Sequence, residues 1–389
     1  MFKKTTSDQV VHYKSTKVKD DFAKELRARV RDYFNKKNLS QYADTPSKLK
    51  AVLGFALWLF FYSLLITDSV TFNYGFLVIV FLGLGLVNIF LAFNVVHDAC
   101  HNAFFRSSKA NKILAYTMNF IGGNSYLFTR MHNAHHAFVN IAGIDVTLET
   151  HGMFRFTPYE TWQPKHRWQH IYTPLLYCFT MLHWVLIKDF KWIFGELNIG
   201  NEKKIIHPLK EYFILFISKF FYYTVTLGLP LLFISAPWWL IVLAWVNMHL
   251  LPGLLLTLLF QVTHVYTGTH YPLPDDEGNI ENNYFIHVME TTADFSRENR
   301  FTTWITGGIN IHIVHHLFPH IHHTHYIPLA RIVKQTAEDF GMQYQENPNF
   351  WVALKLHMSM LKHLSKKDAE VEQYGPSQVL FPHHQSSTV

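Results

Sequence analysis

The sequence predicts an all-α integral membrane protein: four transmembrane helices arranged as two hairpins, plus a cytosolic helical cap carrying a histidine-rich di-metal site. Three observations predict it. The 389 residues are 49% hydrophobic and only 16% charged, against about 25% charged in ordinary soluble domains. Four stretches, at about 51–67, 74–96, 212–234 and 238–262, are apolar enough to cross a bilayer; about 20 residues at ~1.5 Å each cover its ~30 Å hydrocarbon layer. Eight histidines fall into three groups of matching spacing.

Residues 1–48 are expected to form a cytosolic N-terminal segment. Within it, 19–38 ("KDDFAKELRARVRDYFNKKN") set Phe22, Leu26, Val30, Tyr33 and Phe34 on one helical face with charges opposite. That pattern predicts an amphipathic interfacial helix on the membrane surface, with packing against the cytosolic part as the other reading. The opening stretch, "MFKKTTSDQVVHYKSTKVKDDF", is basic without an apolar core and does not read as a secretory signal. Thr45-Pro46 offers a cap and a first-turn proline for the first span.

Residues 49–365 form the expected membrane domain. The turns inside its two hairpins, "DSVTFN" and "SAP", contain no Lys or Arg. Lys48, Lys50, Arg106, Lys109, Lys112, Lys188, Lys191, Lys203, Lys204 and Lys210 all lie on the other side. The positive-inside rule therefore predicts both termini and the central segment in the cytoplasm, of a bacterial inner membrane or an endoplasmic reticulum. Residues 171–187 are apolar but hold Pro174 and His183. A fifth span there would carry the last histidines to the wrong side, so a re-entrant or interfacial helix is expected. Residues 366–389 read as a disordered tail.

Two cysteines, Cys100 and Cys178, are too few for a disulfide framework and fit a reducing compartment. No CxxC pair exists, which argues against thiolate zinc and iron–sulfur sites. The net charge of +6 says little alone, and nothing points to a nucleic-acid partner.

The histidines carry the chemistry. "HDACH" holds His97 and His101 where the second span leaves the membrane. "HNAHH" holds His132, His135 and His136, and "HIVHH" holds His312, His315 and His316. Spacings of three and four residues bring imidazoles onto one helical face. Imidazole suits Zn, Cu, Fe and Ni, so ligand type leaves the metal open. Eight nitrogens exceed one tetrahedral site and fit two metals, and His264, at the end of the fourth span, is a candidate ninth ligand. No catalytic residue is expected beyond this metal site.

The remaining histidines read more simply as structural or surface residues. His151, His166, His170 and His183 lack a partner at ligand spacing, and His383 and His384 sit in the tail. His320, His322, His323 and His325 crowd the third group and read as its neighbours. Behind the ligands, Asp98 and Asp145 are candidate acceptors for imidazole N–H groups, with a solvated helix-end charge as the plainer reading of Asp98. Asn310 is a candidate to orient a ligand or to shape the turn at Gly307-Gly308.

"HDACH", "HNAHH" and "HIVHH" in this order resemble the three histidine boxes of the membrane fatty-acid desaturases. "GGINIHIVHHLFP", "METTADFS" and "WQHIYTPLLYCFTMLHWVLIKDF" are similar to the linoleoyl-CoA desaturase-like subgroup. The resemblance runs from about 45 to 345. It implies a cytosol-facing di-iron centre, two iron ions, and O2-dependent removal of two hydrogens from an acyl chain carried as acyl-CoA or acyl-lipid. It also implies a separate electron donor, cytochrome b5-like or a ferredoxin, since the "HPLK" at His207 is no haem motif. Front-end members typically carry Gln and Glu where this chain has His312 and Val314, which leaves the double-bond position open. Gly228, Pro230, Pro252 and Gly253 either shape an acyl channel or serve ordinary helix packing.

Two other functions are weighed against desaturation. A hydroxylase on the same scaffold begins with the same hydrogen abstraction. A metal transporter would need ionisable groups inside the membrane, where the spans offer little beyond Lys219, Asn247 and His249.

Overall fold

The computed structural model describes residues 10–14, 17–70, 73–195 and 205–369. Most of the expected disordered tail lies outside the described residues. The chain is predominantly helical: α1 Lys17–Lys37, α2 Thr45–Ile66, α3 Tyr74–Cys100, α4 Ser108–Ala115, α5 Thr117–Phe120, α6 Ser125–Ala137, α7 Pro164–Tyr177, α8 Thr180–Phe194, α9 Leu209–Phe233 and α10 Trp238–His264. Beyond these come α11 Tyr284–Thr291, α12 Arg300–Thr306, α13 His312–Leu317, α14 Tyr326–Asp339 and α15 Phe350–Leu364. The only strands among the described residues are two-residue parallel pairs: His12–Tyr13 with Asn279–Ile280, and Asp294–Phe295 with Glu346–Asn347.

Four helices, α2, α3, α9 and α10, are long and apolar enough to cross a membrane. The first two have clear caps. Asp44, not Thr45, caps α2, its carboxylate accepting from Ser47 N at 2.8 Å; Thr45 and Pro46 are already helical. Asn73 caps α3 by accepting from Gly75 N. Such caps each stabilise by about 1 kcal/mol. α3 lies between α2 and α10. Trp58 Nε1 donates to Asn88 Oδ1 across the first of these interfaces at 3.0 Å. The second is close because Gly85 has no side chain: a Cβ there would stand 2.0 Å from Met248 O.

The charge in the third apolar stretch is fully occupied. Lys219 pairs with Asp189 at 2.8 Å and donates to Gly122 O and Val185 O, tying α9 to α8. A 69° bend separates α7 from α8, so 171–187 is not one straight helix. Gly253 packs against this pair, where a Cβ would meet Cys178 O at 2.6 Å; helix packing accounts for that glycine.

α1 takes the packed one of its two expected settings. Phe22, Leu26 and Val30 are buried in one cluster with Leu329, Ala330, Val333 and Ala337 of α14. The apolar face that suggested a membrane-surface helix is already covered by protein, so α1 is a packed helix of the histidine-bearing half.

Candidate metal centre

Four helices bring their histidines to one buried point. α3 contains a π-helical turn, Ala92–Val96, immediately before His97. The extra residue in that turn rotates the first box relative to the rest of α3, the usual effect of a π-bulge at a functional site. α6, capped by Asn124 on Leu127 N, carries His132, His135 and His136. α10 ends on His264, and α13 carries His312, His315 and His316.

The nine expected ligands come together. His97, His101, His132 and His315 each offer a nitrogen, all within 4.8 Å of one another; His135, His264, His312 and His316 do the same. His136 stands between the groups, its ring centroid 4.4 Å from that of His315 and 4.3 Å from that of His316.

Several nitrogens face one another in a way that protons do not resolve. His132 Nε2 lies 3.0 Å from His97 Nε2 and 3.2 Å from His136 Nε2. His264 Nε2 lies 3.2 Å from both His135 Nε2 and His316 Nε2. The proton of His135 is on Nδ1, 2.9 Å from the Asp145 carboxylate, and that of His312 is on Nδ1, 3.1 Å from Ile309 O. Burial holds His312 well below the ordinary imidazole range, so its Nε2 is a lone pair aimed inward. His101 Nε2, His312 Nε2 and His315 Nε2 are buried without a hydrogen-bond partner. Converging buried lone pairs are what a cation satisfies, so the residues fit metal binding.

The electrostatics agree. Burial, then neighbouring histidines, hold His132, His136, His312, His315 and His316 well below the ordinary imidazole range. Burial takes His101 down to about 3. All six are neutral imidazoles at pH 7, the form that ligates. Burial pushes the Asp145 carboxyl up, but His135 and hydrogen bonds from His135 and Thr147 outweigh it and hold it below the usual range.

A profile of the fatty acid desaturase family matches residues 72–348. This chain belongs to the fatty acid desaturase family. Among its relatives, the sn-1 linoleoyl-lipid 6-desaturase of Synechocystis sp. is 33% identical over 356 residues, covering 90% of this chain and 96% of the other. The protein of the same description from Arthrospira platensis is 29% identical over 345 residues, covering 88% and 92%. The acyl-lipid (8-3)-desaturase of Physcomitrium patens is 27% identical over 348 residues, covering 88% and 71%. With four apolar helices and a histidine centre, the protein is a membrane fatty-acyl desaturase, an oxidoreductase of lipid metabolism.

Behind the box histidines, the desaturase uses residues the boxes do not announce. Asn140, in the left-handed region at φ 55°, donates through Nδ2 to His264 O at 2.9 Å and Thr291 O at 3.1 Å. It thereby joins the end of the second box to the fourth apolar helix. The Tyr326 hydroxyl is 3.3 Å from His315 Nδ1, and Tyr284 donates to His316 O at 2.8 Å. Asp294 accepts from Ile313 N at 2.9 Å and fixes the start of the third-box helix. Closeness to the second box was the only sequence signal for Asn140; the tyrosines had none.

Asp98 takes a different partner from the one expected. It sits 2.6 Å from His323 Nδ1, and Lys50 Nζ is 3.2 Å from His323 Nε2. Asp98, His322 and His323 are also grouped closely enough for a cation, but Lys50 already supplies positive charge on the far side of His323. The trio anchors the loop after the third box to the first box. Asn310 donates to Phe295 O and Thr303 Oγ1 and accepts from Thr306; it shapes the glycine turn.

Proposed function

We propose that this desaturase introduces a double bond at carbon 6 of an acyl chain esterified in a membrane lipid, using two iron ions held by His97, His101, His132, His135, His136, His264, His312, His315 and His316. The observation that carries the reading is the pair of four-nitrogen groups with His136 between them. The relative described as an sn-1 linoleoyl-lipid 6-desaturase supports lipid-bound substrate and position.

The overall change balances as –CH2–CH2– + O2 + 2 e− + 2 H+ → –CH=CH– + 2 H2O. Bound iron would supply the oxidising power that an unactivated methylene pair requires. The chain's own residues do the rest. Asp145 holds the proton of His135 at Nδ1 and keeps its Nε2 available. Tyr326 and Tyr284 fix the orientation of the third box. A separate donor, cytochrome b5-like or a ferredoxin, provides the two electrons. The basic residues flanking the apolar helices support a cytoplasmic site and termini.

His312 stands among the second group of nitrogens. This supports reading its difference from the front-end Gln as a change of metal donor, leaving the acyl register untouched.

Expression in a host lacking the activity, followed by lipid-class separation and double-bond localisation, tests the proposal. A product lighter by about 2 mass units in the acyl-lipid fraction is expected. A product heavier by about 16 mass units would mean hydroxylation, and a double bond elsewhere would overturn the position.

A further inference from the structure

We propose that α12 (Arg300–Thr306) is a membrane anchor seated in the box-side leaflet of the bilayer, tying the third histidine box to the lipid surface. This rests on reading the four apolar helices as membrane-spanning.

The helix is amphipathic in an unusual direction for a soluble cap. Phe301 is 68% exposed, and Trp304 and Ile305 are each 43% exposed, on one face. The opposite face is buried: Thr303 and Thr306 bond to the Asn310 side chain, two residues before His312. Asn299 caps the start by accepting from Thr302 N, and Gly307 ends the helix in the left-handed region at φ 59°. A short helix fixed at both ends thus holds three large apolar side chains outward.

The occupant is set by where this face lies. Trp304 packs on Phe90 of α3 with ring centroids 5.6 Å apart, and Lys50 of α2 lies 5.2 Å from the Trp304 ring. Asn94 Nδ2 donates to Ile305 O at 3.1 Å. Phe90 and Asn94 stand 16 and 20 residues beyond Tyr74 at the start of α3, which is about 24 and 30 Å along it. Lys50 stands 16 residues before Ile66 at the end of α2, again about 24 Å. Two independent helices therefore set α12 at the far edge of a ~30 Å hydrocarbon layer. Trp304 at that depth, with Arg300 exposed one turn before it, is the composition of a membrane interface: apolar bodies inward, a cation toward lipid phosphate. Only five residues separate α12 from His312, so the depth of α12 sets the depth of the third box.

The test is a nitroxide at Phe301→Cys in a Cys178→Ser background, in the full-length protein reconstituted into phosphatidylcholine–phosphatidylglycerol vesicles. Its accessibility to O2 and to a water-soluble nickel chelate is compared with labels at Leu59→Cys, exposed on α2, and Glu338→Cys, exposed on α14. Ile305→Cys repeats the measurement one turn along. The expected O2-to-nickel ratio at Phe301 and Ile305 is several-fold above that at Glu338 and approaches that at Leu59. Ratios at both positions equal to Glu338, with Leu59 lipid-like, overturn the anchor. Water-like ratios at Leu59 as well overturn the membrane reading and the anchor with it.

Discussion

His315 and His322 show how little a histidine's type says and how much its surroundings say. Both are fully buried. His315 offers an unpartnered Nε2 to three other imidazoles and has Tyr326 at its back. His322 accepts from Thr324 N at 3.2 Å and lies 3.5 Å from Asp98, in the loop that anchors the third box to the first. His315→Ala is expected to abolish desaturation and lower bound iron sharply, while His322→Ala retains most of it. Metal analysis of the purified variants checks this; equal iron in the two would contradict the ligand assignment. Box spacing distinguishes these two residues along the chain. It carries no trace of Asn140, Tyr326 or Lys50, because a residue that supports a ligand from another segment leaves no period beside that ligand.

At the scale of elements, two joints carry the centre. The first is the π-turn that re-aims the first box. The second is Gly307, which combines a positive φ with a close approach: a Cβ would stand 2.3 Å from Phe93 O, in that same π-turn. Gly307→Ala therefore forces the start of the third box away from the end of α3. The expected cost is at least about 2 kcal/mol, from left-handed strain plus a backbone clash. Thermal unfolding together with iron content measures it, and a variant with wild-type values for both would show that the two segments are not rigidly joined. The elements themselves were largely legible: apolar stretches marked the four long helices, with their ends displaced by a few residues. The setting of α1 was not. Its amphipathic pattern is the same whether lipid or α14 covers the apolar face.

For the whole molecule, the candidate ligands come from distant segments, so metal binding is expected to be coupled to folding. Chelation is expected to lower the melting temperature. The metal-free protein also has a defined pH response. Burial holds six of its box histidines below the ordinary range, His101 to about 3. In the unfolded chain they titrate near ~6.5. As pH falls below about 6.5 the unfolded state binds more protons than the folded state, so stability falls with pH. Scanning fluorimetry of the chelated protein between pH 7 and about 5 should show a steep fall; a flat profile would mean these imidazoles are not buried together.

The four apolar helices, the three boxes and the family are legible along the chain, because each is written in local spacing and composition. Folding alone sets which nitrogens share a group, places His136 between them, pairs Asp98 with His323, packs α1 and turns the apolar face of α12 outward. Those are facts about which surfaces meet, and a contact between residues a hundred or more positions apart has no period along the chain to reveal it.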